Sequence, residues 1–180
     1  MSYIQPIDRN TAGPDVAPTL DALKAKIGAL PNLFLTLAQT PVALNAYVAL
    51  ADVAARGTLS AKQREQIALA VGEANACDYC LAAHSAIGAK VGLTPAQIAN
   101  ARDGRADAPR DAALLALAQS FIANRGHVPT VELDAFKAAG FGDAQVLEVL
   151  VSVVLNIFTN YTNHVARTEV DFPAAAKRAA

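Results

Sequence analysis

A chain of 180 residues, 53% of them hydrophobic, is long enough to bury one core and short for two, so a single domain over residues 1–180 is expected. Fifteen Lys+Arg against sixteen Asp+Glu leave a formal charge of −1, and neither sign gathers into a run that would grip phosphates, which argues against a nucleic-acid partner. Much of the apolar content is Ala, and no apolar stretch is seen to approach the roughly 20 residues that cross a bilayer, so no membrane association is expected and the longest apolar block, residues 149–155, reads as a buried helix face.

Pro and Gly cut the chain into helix-length pieces. Residues 1–18 are Pro-rich without sustained periodicity and read as an extended arm lying on the surface or on a neighbouring subunit. A short helix over residues 19–27 is closed by Gly28. After Pro31 the positions Leu33, Leu37, Leu44, Tyr47, Val48 and Ala51 recur at helical spacing, with a break at Thr40-Pro41 and a stop at Gly57. Ser60 with Gln63 forms a capping-box start for a helix striped by Ile67, Ala70 and Val71 and ending near Asn75. The next helix begins at Cys77 or Asp78 and runs to Gly92. Thr94-Pro95 with Gln97 opens a short one ended by Asp103-Gly104. Helices over 111–124 and 130–139 follow, and Asp143 is expected to cap a long helix reaching Arg167. Asp171-Phe172-Pro173 reads as a docked turn, and residues 173–180 as an Ala-rich basic tail. Alternating β-branched runs are absent, so the fold class is all-α, a bundle of seven to nine helices. An echo at offset 80, pairing Glu65, Ile67, Val71 and His84 with Gln145, Leu147, Val151 and His164, is compatible with an internal duplication.

The start of the chain lacks the basic and apolar regions of a secretory signal, so a cytoplasmic location is expected. There the two cysteines, Cys77 and Cys80, spaced C-x-x-C, point to redox or metal chemistry rather than to a structural staple. On a helix Cys80 and His84 lie one turn apart on one face. A helix N-terminus and a protonated imidazole both favour thiolate, the species that attacks an O–O or S–S bond. Cys80 is then the better nucleophile, and Cys77 is placed to condense with a sulfenic acid on it. Two carboxylates compete to handle the proton. If the helix runs unbroken through Asn75, Glu73 shares the stripe with Cys77, Cys80 and His84; if it breaks there, Glu65 comes across from the preceding helix. A structural zinc would need a fourth ligand beyond Cys77, Cys80 and His84, either Glu65 or a remote His. Asn156, Asn160 and His164 repeat every four residues on an apolar helix, either as a helix–helix or subunit contact or around the entrance to the cysteines.

The stretch from Glu65 to His84 resembles the AhpD-like alkylhydroperoxidases of the carboxymuconolactone decarboxylase family: Glu65, an eleven-residue gap, Cys77-x-x-Cys80, three residues, His84, with Asn75 also as in the family. Pro31-Asn32-Leu33-Phe34, the series Asn156, Asn160, Asn163 and His164, and Asp171-Phe172-Pro173 resemble its peroxidase-related branch. The resemblance implies an all-α fold with the C-x-x-C at the N-terminus of a central helix and a homo-oligomer, trimer or hexamer. It implies roles as well: Glu65 as base, His84 as relay, Cys80 as peroxidatic and Cys77 as resolving thiol, acting on an organic hydroperoxide and reduced by an external dithiol such as a thioredoxin-like or lipoyl protein. No bound organic cofactor and no catalytic metal are expected in that cycle. Well-known members carry a second His before the second Cys, where this sequence has Tyr79, a phenol that cannot relay protons at neutral pH as an imidazole does. Lactone decarboxylation and a non-catalytic redox- or metal-sensing helical module stand as alternatives.

Overall fold

The computed structural model describes residues 1–176, and within them the chain is helical throughout: α1 Ala17–Ile27, α2 Asn32–Leu37, α3 Pro41–Ala55, α4 Ala61–Ala74, α5 Asp78–Lys90, α6 Pro95–Arg102, α7 Pro109–Ala123, α8 Thr130–Ala138 and α9 Asp143–Ala166, with one 3₁₀ turn at Arg9–Thr11. Most boundaries fall where the breakers put them. Ser60 and Thr94 cap α4 and α6, each with the reciprocal bond from the Gln three residues on. Three starts differ from expectation. Pro18 and Pro109 lie inside α1 and α7 because a first-turn proline gives up only an N–H that has no helical partner. Gly142, not Asp143, is the N-cap of α9, its N–H donating to Gln145 Oε1 at 2.8 Å, while Asp143 pairs with Lys137 at 2.7 Å.

α4 is the hub, packed by α5, α6, α7 and α9. Its middle, residues 66–72, is buried on every side, which its run of small and apolar residues permits. Gly72 faces α5, where a Cβ would meet Leu81 Cδ2 at 3.4 Å and Cys80 Cβ at 3.6 Å, ordinary packing distances. One core cluster gathers Ile67 and Val71 with Leu114, Leu117, Phe136, Val149 and Val153. Another, built on Leu20, Leu33, Phe34, Leu37 and Leu44, contains Cys77, Tyr79 and Cys80.

α9 is the longest helix and, contrary to the reading of the bare sequence, is long and apolar enough to cross a membrane by length and composition. In the fold it packs on α2, α3, α4, α5 and α7. Ser152, Asn156, Thr159, Asn160 and Asn163 are buried along it, a polar row of a kind that needs partners supplied by protein. Residues 149–155 are not uniformly buried, since Val154 is 47% exposed. The proposed echo does not carry into architecture, because residues 65–84 span two helices and residues 145–164 one.

The N-terminal arm docks on its own chain. Tyr3 and Ile4 N–H donate to Ala166 O, and Ile7 N–H to Leu35 O. At the other end Asp171 Oδ2 accepts from Asn32 N–H at 2.7 Å, serving as the cap that Pro31 cannot be for α2. The last residues of the basic tail, 177–180, lie outside the described residues.

Candidate functional site

α4 ends at Asn75, and the chain turns through Ala76 at φ 51° before α5 begins. A left-handed Ala is strained. The bonds Ala76 N–H to Glu73 O and Cys77 N–H to Gly72 O hold it, closing α4 as a two-bond C-cap. This break decides between the two carboxylates. Glu73 is turned to Arg102, whose Nε donates to Glu73 Oε2 at 2.7 Å and whose Nη1 donates to Ala176 O. Glu65, two helical turns earlier, faces α5 and accepts from His84 Nδ1 at 2.8 Å, with the two side chains 16% and 22% exposed. Glu73→Gln is therefore expected to destabilise the fold by roughly 1–3 kcal/mol, through the buried Arg102 left half-paired, while leaving the chemistry of the cysteines unchanged; thermal melts beside thiol oxidation rates check both halves.

Cys77 is the N-cap of α5, its sulfur accepting the Cys80 N–H at 3.4 Å, and the two sulfurs lie 2.6 Å apart as free thiols. Both are buried, at 1% and 2% exposure. Their protons are held unequally. Cys80 is drawn below the usual thiol value by the hydrogen bond from the Cys77 thiol, against the effect of burial, and by Asn163, Asn160 and Thr159 of α9. Cys77 is pushed up by that same shared bond, by burial and by the charge on Cys80, with the Cys80 backbone N–H and Asn163 pulling the other way. Helix N-terminal position alone would favour a Cys77 thiolate. The thiol–thiol bond reverses the order first, and the α9 amides add to it, Asn163 Nδ2 donating to Cys80 Sγ at 3.3 Å.

His84 is not what sets Cys80. Burial lowers its pKa, but the ion pair and hydrogen bond with Glu65 outweigh burial and raise it overall, and the sulfur whose charge it feels is Cys77. Tyr47 of α3 completes the surroundings of the pair: burial and then the Glu65 charge push its hydroxyl up to about 12. Nothing in sequence spacing marked Tyr47. It had read as one more apolar stripe position.

Tyr79 points out of the proton path. Its hydroxyl accepts the Leu33 N–H at 3.2 Å, its ring meets Phe172 edge-on at 5.7 Å, and burial first, then Asp171, keep the phenol protonated. The segments around Leu33 and Phe172 thus meet over Tyr79, which ties α2 and the C-terminal turn to the helix that bears the cysteines. Asn160 is fully buried and accepts from Asn75 Nδ2 at 2.8 Å. Asn156 donates to its own helix at Ser152 O. His164 is exposed, stacked on Tyr161 and not drawn to the sulfurs. No group of three or more His, Cys, Asp and Glu able to hold a metal is found among the described residues; His84 is turned to Glu65 instead of closing on both sulfurs.

Comparison with known proteins agrees with this architecture. Residues 41–123, which carry Glu65, Cys77, Cys80 and His84, match the carboxymuconolactone decarboxylase family. The sequence matches no curated protein. Among solved structures, the alkylhydroperoxidase AhpD core of an uncharacterized peroxidase-related protein from Ralstonia eutropha JMP134 has a TM-score of 0.85 at 25% identity, over 94% of this chain and 92% of that one. An uncharacterized peroxidase-related protein from Silicibacter sp. TM1040 gives 0.78 at 22% identity, over 93% and 92%. The debrominase Bmp8, in a cysteine-to-alanine form bound to 2,3,4-tribromopyrrole, gives 0.80 at 19% identity, over 95% and 92%.

Proposed function

We propose, for a chain whose residues 41–123 belong to the carboxymuconolactone decarboxylase family and whose fold is AhpD-like, the activity of a thiol-dependent peroxidase acting on organic hydroperoxides. The observation that carries the reading is the buried dithiol itself: two sulfurs 2.6 Å apart, one stabilised as thiolate and the other held as thiol. The thiolate of Cys80 attacks the distal oxygen of ROOH, and the O–O bond breaks. Cys80 becomes a sulfenic acid, oxidised by two electrons, and the alkoxide takes a proton from the His84 imidazolium to leave as ROH. His84, now neutral, accepts the Cys77 proton. The Cys77 thiolate displaces hydroxide from Cys80, and that same proton returns to it, so water leaves and the disulfide closes. An external dithiol then reduces the disulfide, returning one proton to Cys77 and one to the His84–Glu65 pair.

The test is a count of thiols and an intact mass. Reduced, metal-stripped protein treated with one equivalent of cumene hydroperoxide is expected to lose both free thiols and the mass of two hydrogens. Survival of both thiols sinks the reading.

A second reading follows from the debrominase neighbour. The same dithiol could deliver two electrons to a carbon–halogen bond, giving C–H, halide, a proton and the Cys77–Cys80 disulfide. 2,3,4-Tribromopyrrole belongs beside the hydroperoxide as a second oxidant in that experiment; thiol loss with it alone would transfer the assignment.

We also propose a homo-oligomer. Leu147, Val154 and Tyr161 recur at seven-residue spacing on α9 and are 63%, 47% and 55% exposed, an apolar stripe better suited to a second copy than to water.

A further inference from the structure

Two buried polar atoms beside Cys80 have no hydrogen-bond partner among the described residues: the donor Asn160 Nδ2 and the acceptor Asn163 Oδ1. Native interiors leave few such atoms, and each calls for an explanation. Their hydrogen bonds orient them. Asn75 Nδ2 binds Asn160 Oδ1, so the amide nitrogen must face the other way. Asn163 gives its nitrogen to Cys80 Sγ at 3.3 Å, so its oxygen is left over; turned round, it would set an oxygen against a thiolate. Asn160 adjoins the same sulfur without reaching hydrogen-bond geometry. One free donor and one free acceptor next to a nucleophilic sulfur match the needs of a single group, S–O–H, whose oxygen accepts one bond and whose hydrogen donates another.

We propose that the Asn160 and Asn163 carboxamides of α9 form an oxygen pocket over Cys80, in which Asn160 Nδ2 receives the oxygen that an oxidant transfers to the sulfur and Asn163 Oδ1 accepts its hydrogen. The inference rests on the peroxidase reading and narrows it, because it makes the site one for oxidants that leave oxygen on sulfur. In the reaction the distal OH of ROOH moves to Cys80 Sγ as the O–O bond breaks, and the pocket binds it while charge shifts to the departing alkoxide. Both amides touch the reacting oxygen, and Asn75, at the break between α4 and α5, is the positioning residue that aims Asn160.

Cys77→Ser, which retains Cys80 and lets its sulfenic acid accumulate, is the background for the test. Oxidation of Cys80 by cumene hydroperoxide, followed by dimedone trapping and mass, is compared with alkylation of Cys80 by iodoacetamide across pH, a reaction that moves no oxygen. Asn163→Ala is expected to shift the alkylation profile up by about one pH unit, and so to slow both reactions about tenfold at neutral pH. Asn160→Ala is expected to slow oxidation by about tenfold, the loss of one buried hydrogen bond to the transferred oxygen, while changing alkylation far less. Asn156→Ala, which removes another buried amide of the same helix, one bound to Ser152 O, should alter only the melting temperature. Equal slowing of both reactions by Asn160→Ala, or of neither, overturns the pocket. Absence of any sulfenic acid in the Cys77→Ser parent, with normal alkylation, overturns the peroxidase reading itself and the pocket with it.

Discussion

Cys80→Ser is expected to reduce hydroperoxide consumption to the protein-free background, and Cys77→Ser to stop it after one equivalent with Cys80 held as sulfenic acid. The asymmetry follows from where each sulfur sits. Cys80 collects stabilising contacts from Cys77, Asn163, Asn160 and Thr159, whereas Cys77 is pushed up on balance, and a hydroxyl in place of Cys80 has no accessible anion to attack with. Cys77 is the N-cap of α5, a position that Ser fills at least as well. Its hydroxyl can still donate to the Cys80 sulfur. Fold and first oxidation step should therefore both survive Cys77→Ser, and the arrest would report the missing resolving thiol. Cys77→Ala separates the two contributions, since it removes donor and cap together: the Cys80 pKa should rise and the melting temperature fall. A titration with defined equivalents of cumene hydroperoxide, read by residual peroxide and by mass, distinguishes the variants. Sustained turnover by either serine variant in the presence of a dithiol would remove the assigned pair of roles.

How much of this was legible in the residues depends on the kind of signal. Helix ends written in local chemistry, such as Ser60 with Gln63 or Thr94-Pro95 with Gln97, came through because a cap is decided within four residues. Pro18 and Pro109 misled because a proline stops a helix in its interior and starts one at its first turn, and only the fold says which applies. Periodicity could not choose between Glu65 and Glu73, since the choice hangs on one left-handed residue, Ala76, of a type that seldom adopts that conformation. Arg102, nearly thirty positions away, then claims Glu73. Spacing also credited His84 with tuning Cys80, when the tuning comes first from the Cys77 thiol and then from α9, eighty residues on, through Asn163. Local sequence holds i to i+4 relations. It says nothing of which distant amide will face a given sulfur.

The Glu65–His84 pair carries the second large effect, and its sign can be worked out. In the folded protein burial pulls the His84 pKa down and the Glu65 carboxylate at 2.8 Å pulls it up more strongly, so the net displacement is upward from the ordinary value near 6.5. A raised folded-state value means that the pair stabilises the fold fully below the unfolded-state pKa, and that this contribution disappears as pH rises through the folded one. The same titration shapes the rate. Oxidation needs Cys80 as thiolate, which sets the acid limb, and His84 as imidazolium to protonate the alkoxide, which sets the alkaline limb. Glu65→Gln removes the charge but keeps a group of the same size and hydrogen-bonding reach. Burial is then opposed only by the Cys77 charge, the His84 value should fall, and the alkaline limb should move to lower pH. At slightly alkaline pH the rate is expected to drop by about 10²–10⁴-fold, the usual range for losing a positioned general acid. His84→Gln should match that loss and abolish the limb altogether. The pH–rate profile of cumene hydroperoxide reduction, taken beside melting temperatures over the same pH range, tests rate and stability together. An alkaline limb that stays in place in Glu65→Gln would show that the carboxylate does not govern the proton on His84, and the relay would have to be sought through Tyr47 instead.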